Sequence, residues 1–258
     1  MRRALRALST ILIVAGLLLI ADAGITLAWQ EPVSAVYARL TQNQLGDDLR
    51  ALERAQPTQL QLRALARLRT EQRRIAFLAR ALRRRAKPGD AIGRIRIKKI
   101  GISFVVVQGT DGSSLQKGPG HYPDTSFPGL PGTVAIAGHR TTYLAPFRHI
   151  NDLHRGNLIA LDMPYGRFTY AVEKTRIVSP SEYSVIKPVG HDRLVLTACH
   201  PLYSAAQRIV VFARQVDVQA RGAARVPAPE IPANRGVGRA DPRPDGVVTP
   251  LGTRRRGR

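Results

Sequence analysis

The sequence holds one cysteine, one tryptophan and two methionines in 258 residues, and only 18 acidic side chains against 40 Lys and Arg. The lone cysteine, Cys199, excludes an intramolecular disulfide framework and every cysteine-rich zinc or iron–sulfur arrangement. No closely spaced ligand pair accompanies it, so neither a metal nor a cofactor is expected. The shortage of acidic residues leaves a formal net charge of +22, which draws the chain to polyanions. No nucleic-acid recognition module has its signature here, so nucleic acid is not the expected partner; anionic membrane lipids or wall polymers meet the same electrostatics. There is no internal repeat. The length suits one domain with a sizeable core plus appendages.

What the sequence does contain starts with an export signal of some kind. Met1-Arg2-Arg3 and Arg6 precede an apolar run from Thr10 to Ala21, which Asp22 interrupts and which resumes as far as Trp29. Leu8 to Trp29 supplies the ~20 residues that cross a hydrocarbon core, with Trp29 where an interfacial aromatic belongs and basic residues on the cytoplasmic side. Residues 1–30 therefore read as a cytoplasmic stub and single-pass anchor with an extracellular domain beyond it. A cleavable signal peptide is the alternative, because Ala21-Asp22-Ala23 resembles a cleavage site.

Residues 31–88 read as an arginine-rich helical stalk. Leu45, Leu49 and Leu52, then Leu62, Leu65, Leu68, Ile75, Leu78 and Leu82, recur at helical spacing, and Pro57 divides the segment into two helices. The stalk is expected to lie on or rise from an anionic membrane face, or to stand solvated and unpaired. Lys87-Pro88-Gly89-Asp90 marks a boundary, after which short alternating apolar runs begin: 92–97, 103–108, 133–137, 157–161, 167–172, 193–197 and 208–213. Many short strands without intervening helices predict an all-β barrel or sandwich over residues 89–219. Residues 220–258, rich in Pro, Gly and Arg, carry too little apolar surface to offset ordering and are predicted to be disordered.

Chemistry concentrates at two places in the β region. In Ala137-Gly-His-Arg-Thr-Thr-Tyr143, His139 sits just past a strand end, from which an imidazole can reach a groove. In Leu194-Val-Leu-Thr-Ala-Cys-His-Pro201, Cys199 closes an apolar strand that Pro201 stops; a thiol at a strand end is presented rather than buried. If the last two strands pair, Arg208 lies beside Cys199 on one face, where its guanidinium can hold a thiolate, a carbonyl or an oxyanion. His121, His149, His154 and His191 read as surface or structural residues, and His200 as a packing neighbour.

The order His139, Cys199, Arg208, with Gly118-Pro-Gly-His-Tyr-Pro123, Pro128-Gly-Leu-Pro-Gly132 and the two motifs above, resembles the sortase family, most closely its class E members from high-GC Gram-positive bacteria. The resemblance spans about Ile92 to Val218. It implies an eight-stranded sortase-type β-barrel, with the cysteine ending the seventh strand, the arginine on the eighth, and His139, Cys199 and Arg208 as catalytic triad. By the same resemblance Tyr143, Thr197 and Ala198 border the substrate. The family has a threonine directly before its cysteine where this chain has Ala198. The implied reaction cleaves a C-terminal sorting signal, LPXTG or LAXTG, between Thr and Gly through a thioacyl intermediate, and attaches the secreted protein to an amine of peptidoglycan precursor or of a pilin. Tyr143 favours the Ala form of the signal. Three other readings stand beside it: a hydrolytic cysteine peptidase, a pilin-polymerising enzyme, and a non-catalytic protein binding wall or membrane, which would give Cys199 no role.

Overall fold

The computed structural model describes residues 2–28 and 32–225; Trp29, and residues 226–258 of the expected disordered tail, lie outside the described residues. Helix α1 (Arg2–Ala28) contains Arg3–Gly24, the one described stretch long and apolar enough to cross a membrane, and none of that window is covered by protein. Three more helices follow before the barrel: α2 (Pro32–Arg54), α3 (Gln59–Ala66) and α4 (Glu71–Arg85). Pro57 accounts for the first break. Thr58 then restarts the chain with a capping box, its hydroxyl accepting from Gln61 N–H while the Gln61 side chain returns the bond. The second break, which the spacing of apolar residues does not reveal, comes at Thr70, whose hydroxyl accepts from Arg73 N–H and caps α4.

These helices correct the expectation of a stalk. Leu45 and Leu49 of α2 pack on Val105 and Val107, and Ile75, Ala79 and Leu82 of α4 enter the main core. Burying the four larger of these side chains stabilises by roughly 6–12 kcal/mol, too much for helices that stand free. A polar clamp fixes the register of α2. The Gln42 amide donates to Val105 O (3.1 Å) and Lys117 O (2.7 Å) and accepts from Val105 N–H (2.8 Å). The expected tail also begins late: Ala220 and Ala224 are buried, and Arg74 of α4 donates to Ala223 O at 2.9 Å.

Eight strands close the barrel: β1 (Ala91–Ile97), β2 (Ile102–Gln108), β3 (Gly120–His121), β4 (Thr133–Ala137), β5 (Leu158–Met163), β6 (Gly166–Val178), β7 (Arg193–His200) and β8 (Gln207–Ala220), in the order β1-β2-β3-β4-β7-β8-β6-β5. The all-β, eight-stranded expectation holds, although β3 is too short to show as an apolar run. A short helix, α5 (Gly112–Lys117), precedes it, with Asp111 accepting from Ser114 N–H (3.0 Å). Strand alternation divides the residues between two faces. Leu194, Leu196 and Ala198 of β7, with Ile209 and Val211 of β8, fill the interior. Val195, Val210 and Phe212 point outward, where Val185 and Ile186 from the segment between β6 and β7 cover them. On β5, the buried Asp162 carboxylate accepts from Arg167 (2.6 Å), meets Arg221 at 3.0 Å and pairs with Arg96; these guanidiniums hold its pKa below the usual carboxylate range despite burial.

Candidate active site

The barrel brings the two motifs together on its outer face. In the antiparallel β7–β8 ladder Cys199 stands directly opposite Arg208, so their side chains project on the same side, with Cβ atoms ~5 Å apart. Strand β4 runs parallel to β7 on the other side and is paired as far as Ala137 with Thr197. Gly138 N–H donates to Thr197 O at 3.0 Å and carries that ladder onward, so His139 and Cys199 are each two residues past the last pair. His139, two residues past the end of β4, is thus level with Cys199 on β7 and Arg208 on β8, and all three are half-buried. That juxtaposition depends on Gly138. A Cβ there would lie 2.6 Å from Cδ2 of the fully buried Phe147, so only glycine allows the chain to leave β4 this way.

The imidazole of His139 is enclosed enough that burial pushes its pKa down, which keeps it neutral at neutral pH, and its Nε2 has no hydrogen-bond partner among the described residues. A neutral ring with a free nitrogen can take or give a proton. Tyr143 flanks it, ring centroids 5.3 Å apart, and Tyr37 of α2 meets Tyr143 edge-on at 6.5 Å. Tyr143, Leu144 and Ala145 all have left-handed backbone, with φ of 50°, 63° and 39°. Such residues cost about 1–3 kcal/mol each and persist where packing over-determines them. The Arg208 guanidinium uses Nη1 to donate to Ala205 O (2.9 Å) and Gln207 O (3.0 Å), leaving Nε and Nη2 without a protein partner among the described residues.

Of the expected substrate-bordering residues, Tyr143 and Thr197 lie on the outer face. Thr197 hydrogen-bonds the Tyr122 hydroxyl (2.9 Å), and both line a groove that runs past Val178, Tyr183 and Val210 to Arg208. Ala198 does not. It is 4% exposed and lies in the barrel core with Leu194 and Leu196, because one step along a strand reverses the face. The expectation that it touches substrate is corrected accordingly.

Arg140 is a residue that sequence reasoning passes over. It is buried, and Nη1 donates to Cys199 O (3.2 Å) and lies 3.3 Å from His200 Nδ1, while Nη2 donates to Asn151 Oδ1 (2.7 Å) and Arg148 O (3.4 Å). It ties the strand end bearing Cys199 to the loop that follows His139. A second tie runs from Arg148 to the Tyr203 hydroxyl (3.2 Å) in the β7–β8 turn. The available signal was the place of Arg140 next to His139 in an otherwise apolar and hydroxylic motif. Among the histidines, His121 is buried and structural, with Nε2–H donating to Ser126 O at 3.0 Å and its pKa pushed down to about 4 by burial. No group of three or more His, Cys, Asp or Glu suited to a metal occurs among the described residues.

Residues 95–216 match the family model of the sortase domain. Over 133 residues the chain is 36% identical to Sortase D of Bacillus subtilis, an overlap of 50% of this chain and 65% of that protein. Over 151 residues it is 30% identical to Sortase SrtE1 of Streptomyces coelicolor, covering 52% of this chain and 43% of the relative. The chain thus spans less than two thirds of either curated relative. The crystal structure of Sortase E1 from Streptomyces coelicolor with a tripeptide in the active site superposes with a TM-score of 0.50 at 28% identity, covering 52% of this chain and 93% of that one.

Proposed function

We propose that the chain, whose residues 95–216 match the sortase domain, is a membrane-tethered cysteine transpeptidase in which Cys199 is the nucleophile, His139 the acid and base, and Arg208 the oxyanion partner. The observation that carries the reading is the level alignment of His139, just past β4, with Cys199 on β7 and Arg208 on β8. His139 takes the Cys199 thiol proton, and the resulting thiolate attacks the Thr–Gly carbonyl of a sorting signal, forming a C–S bond; Arg208 donates to the oxygen as charge develops on it. His139 protonates the departing glycine nitrogen as the C–N bond breaks. An amine then attacks the thioester, yields its proton to His139 and expels the thiolate, so the secreted protein ends joined to the acceptor. A small cleft of about 40 Å³ lined by Thr197, Tyr183 and Val210 reaches Arg208 and marks one end of the surface on which a peptide would lie.

By resemblance the signal is of LAXTG or LPXTG type, with Tyr143 beside His139 favouring the Ala form, and the acceptor is an amine of peptidoglycan precursor or of a pilin. Helix α1, apolar over Arg3–Gly24 behind a basic N-terminus, supports an anchored enzyme with its barrel outside the cell. The test is to incubate the full chain in detergent with an LAXTG peptide and a competing amine. Thr–Gly cleavage with transfer to the amine, abolished in Cys199→Ala, is the expected result. Cleavage that ignores the amine would make the chain a hydrolytic peptidase instead, and no cleavage, or cleavage that persists in Cys199→Ala, refutes the assignment. Loss in Arg208→Ala but not in Arg193→Ala would support the oxyanion role.

A further inference from the structure

Beside Leu144, in the loop that follows His139, a cleft of about 390 Å³ opens between α2 and the β1–β2 hairpin, lined by Arg39, Asn43, Asp47, Arg50, Arg94 and Ser103 among others. Three guanidiniums, two amides and a hydroxyl share it with one carboxylate, Asp47, and with the apolar Phe104 and Leu144. Two guanidiniums converge over the buried Gly46: a Cβ there would lie 3.7 Å from Arg94 Nη2 and 3.9 Å from Arg50 Nη1, both ordinary contact distances. Only Asp47 pairs inside the cleft, and it pairs with Arg50. Arg94 and Arg39 have no ion pair or hydrogen bond among the described residues. Burial, Arg96 and Arg50 all push the Arg94 pKa down and outweigh the pull of Glu53 and Asp162, whose charge is already shared by Arg96, Arg167 and Arg221. The fold therefore gathers three guanidiniums of which Asp47 compensates only Arg50, and does so beside a helix clamped to the barrel through Gln42.

We propose that this cleft binds a phosphate-bearing anion, with Arg39, Arg50 and Arg94 as its cationic ligands and Asn43 and Ser103 as neutral donors. A carboxylate would need one guanidinium fork; three forks around one space match an anion with several oxygens and more than one charge. The volume suits such a group. Position along the chain favours it too, since α1 ends at Ala28 and Arg39 comes about 10 Å along α2 at 1.5 Å per residue. The phosphate is either that of an anionic lipid headgroup or a soluble phosphate ester, and the two sources can be told apart.

The experiment uses the full chain in nonionic detergent and follows thermal unfolding against inorganic pyrophosphate in one arm. In a second arm the micelles are doped with phosphatidylglycerol or, as control, phosphatidylcholine. A saturable rise in Tm is expected, with half-saturation moved about tenfold or more higher in Arg94→Gln, as loss of one charge-assisted pair predicts. Arg39→Gln, an exposed position with no packing role, should shift it in the same direction and covers the case in which Arg94→Gln folds poorly. Arg84→Gln, an exposed charge on α4, should leave it unmoved. A rise with pyrophosphate identifies soluble phosphate as sufficient, whereas a rise with phosphatidylglycerol alone identifies the headgroup; either supports the site if Arg39 or Arg94 is required. No rise in either arm, or half-saturation in both Arg39→Gln and Arg94→Gln equal to that in Arg84→Gln, overturns it.

Discussion

Replacing Arg140 by methionine keeps much of the side-chain volume and removes the guanidinium that joins the Cys199 strand end to the loop after His139. Two of its contacts have good geometry, Nη2 to Asn151 Oδ1 at 2.7 Å and Nη1 to Cys199 O at 3.2 Å. Each charge-assisted bond contributes about 1.5–3 kcal/mol. The Arg140 Nε has no partner, and the burial that depresses the Arg140 pKa also opposes the charge, so part of that gain is offset. The net loss in Arg140→Met should be about 2–4 kcal/mol, a substantial part of a total of roughly 5–15 kcal/mol. For a body of this size that lowers Tm by roughly 4–16 °C, which differential scanning calorimetry would read. The functional effect separates positioning from mere stability. Assayed well below its Tm, Arg140→Met should lose kcat by more than tenfold with little change in KM, because the groove past Thr197 and Tyr183 is untouched. Arg140→Lys, which keeps the charge but not the fork, should recover stability more than rate. A Tm within about 2 °C of the parent together with unchanged kcat would refute the bracing role.

Three further outcomes follow from the packing. Gly138→Ala forces a methyl to within 2.6 Å of buried Phe147 and should displace His139, costing about 1–3 kcal/mol and, in a peptide-cleavage assay, more rate than stability. A fragment beginning at Gly89 loses Leu45, Leu49, Leu65, Ile75 and Leu82 from the buried set and should aggregate, whereas one beginning at Pro32 should stay monomeric by gel filtration with a sharp thermal transition; equal Tm values for the two would overturn the packing argument. His121, held neutral at a pKa of about 4 against about 6.5 unfolded, takes up its proton more readily when unfolded. Its contribution, about 3 kcal/mol, is therefore present above pH 6.5 and lost as pH falls from 6.5 to 4. Burial of His139 adds to the same slope. Urea titrations across that range should show a shallower pH dependence in His121→Asn.

An all-β domain was readable because its strands alternate with period two, the barrel itself being implied only by the family resemblance, and the placement of Cys199 opposite Arg208 was readable because consecutive strands joined by a short turn usually pair. Three things were not. The arrival of His139 beside Cys199 depends on a parallel β4–β7 pair between segments far apart in sequence, and no local pattern encodes which distant strands become neighbours. Ala198 was misjudged because a motif gives position along a strand but not face; only the closure of the barrel decides which side is inside. Leucines at helical spacing likewise announce an apolar stripe without naming what it packs against, and the barrel surface around Val105 and Val107, clamped by Gln42, turned a stalk into part of the folded body. By itself, then, the sequence determined the strands, the apolar α1 span, the lone thiol and its basic neighbour. Tertiary structure alone decided the level alignment of His139 with Cys199, the brace at Arg140 and the gathering of Arg39, Arg50 and Arg94, because each joins side chains that only long-range pairing brings together.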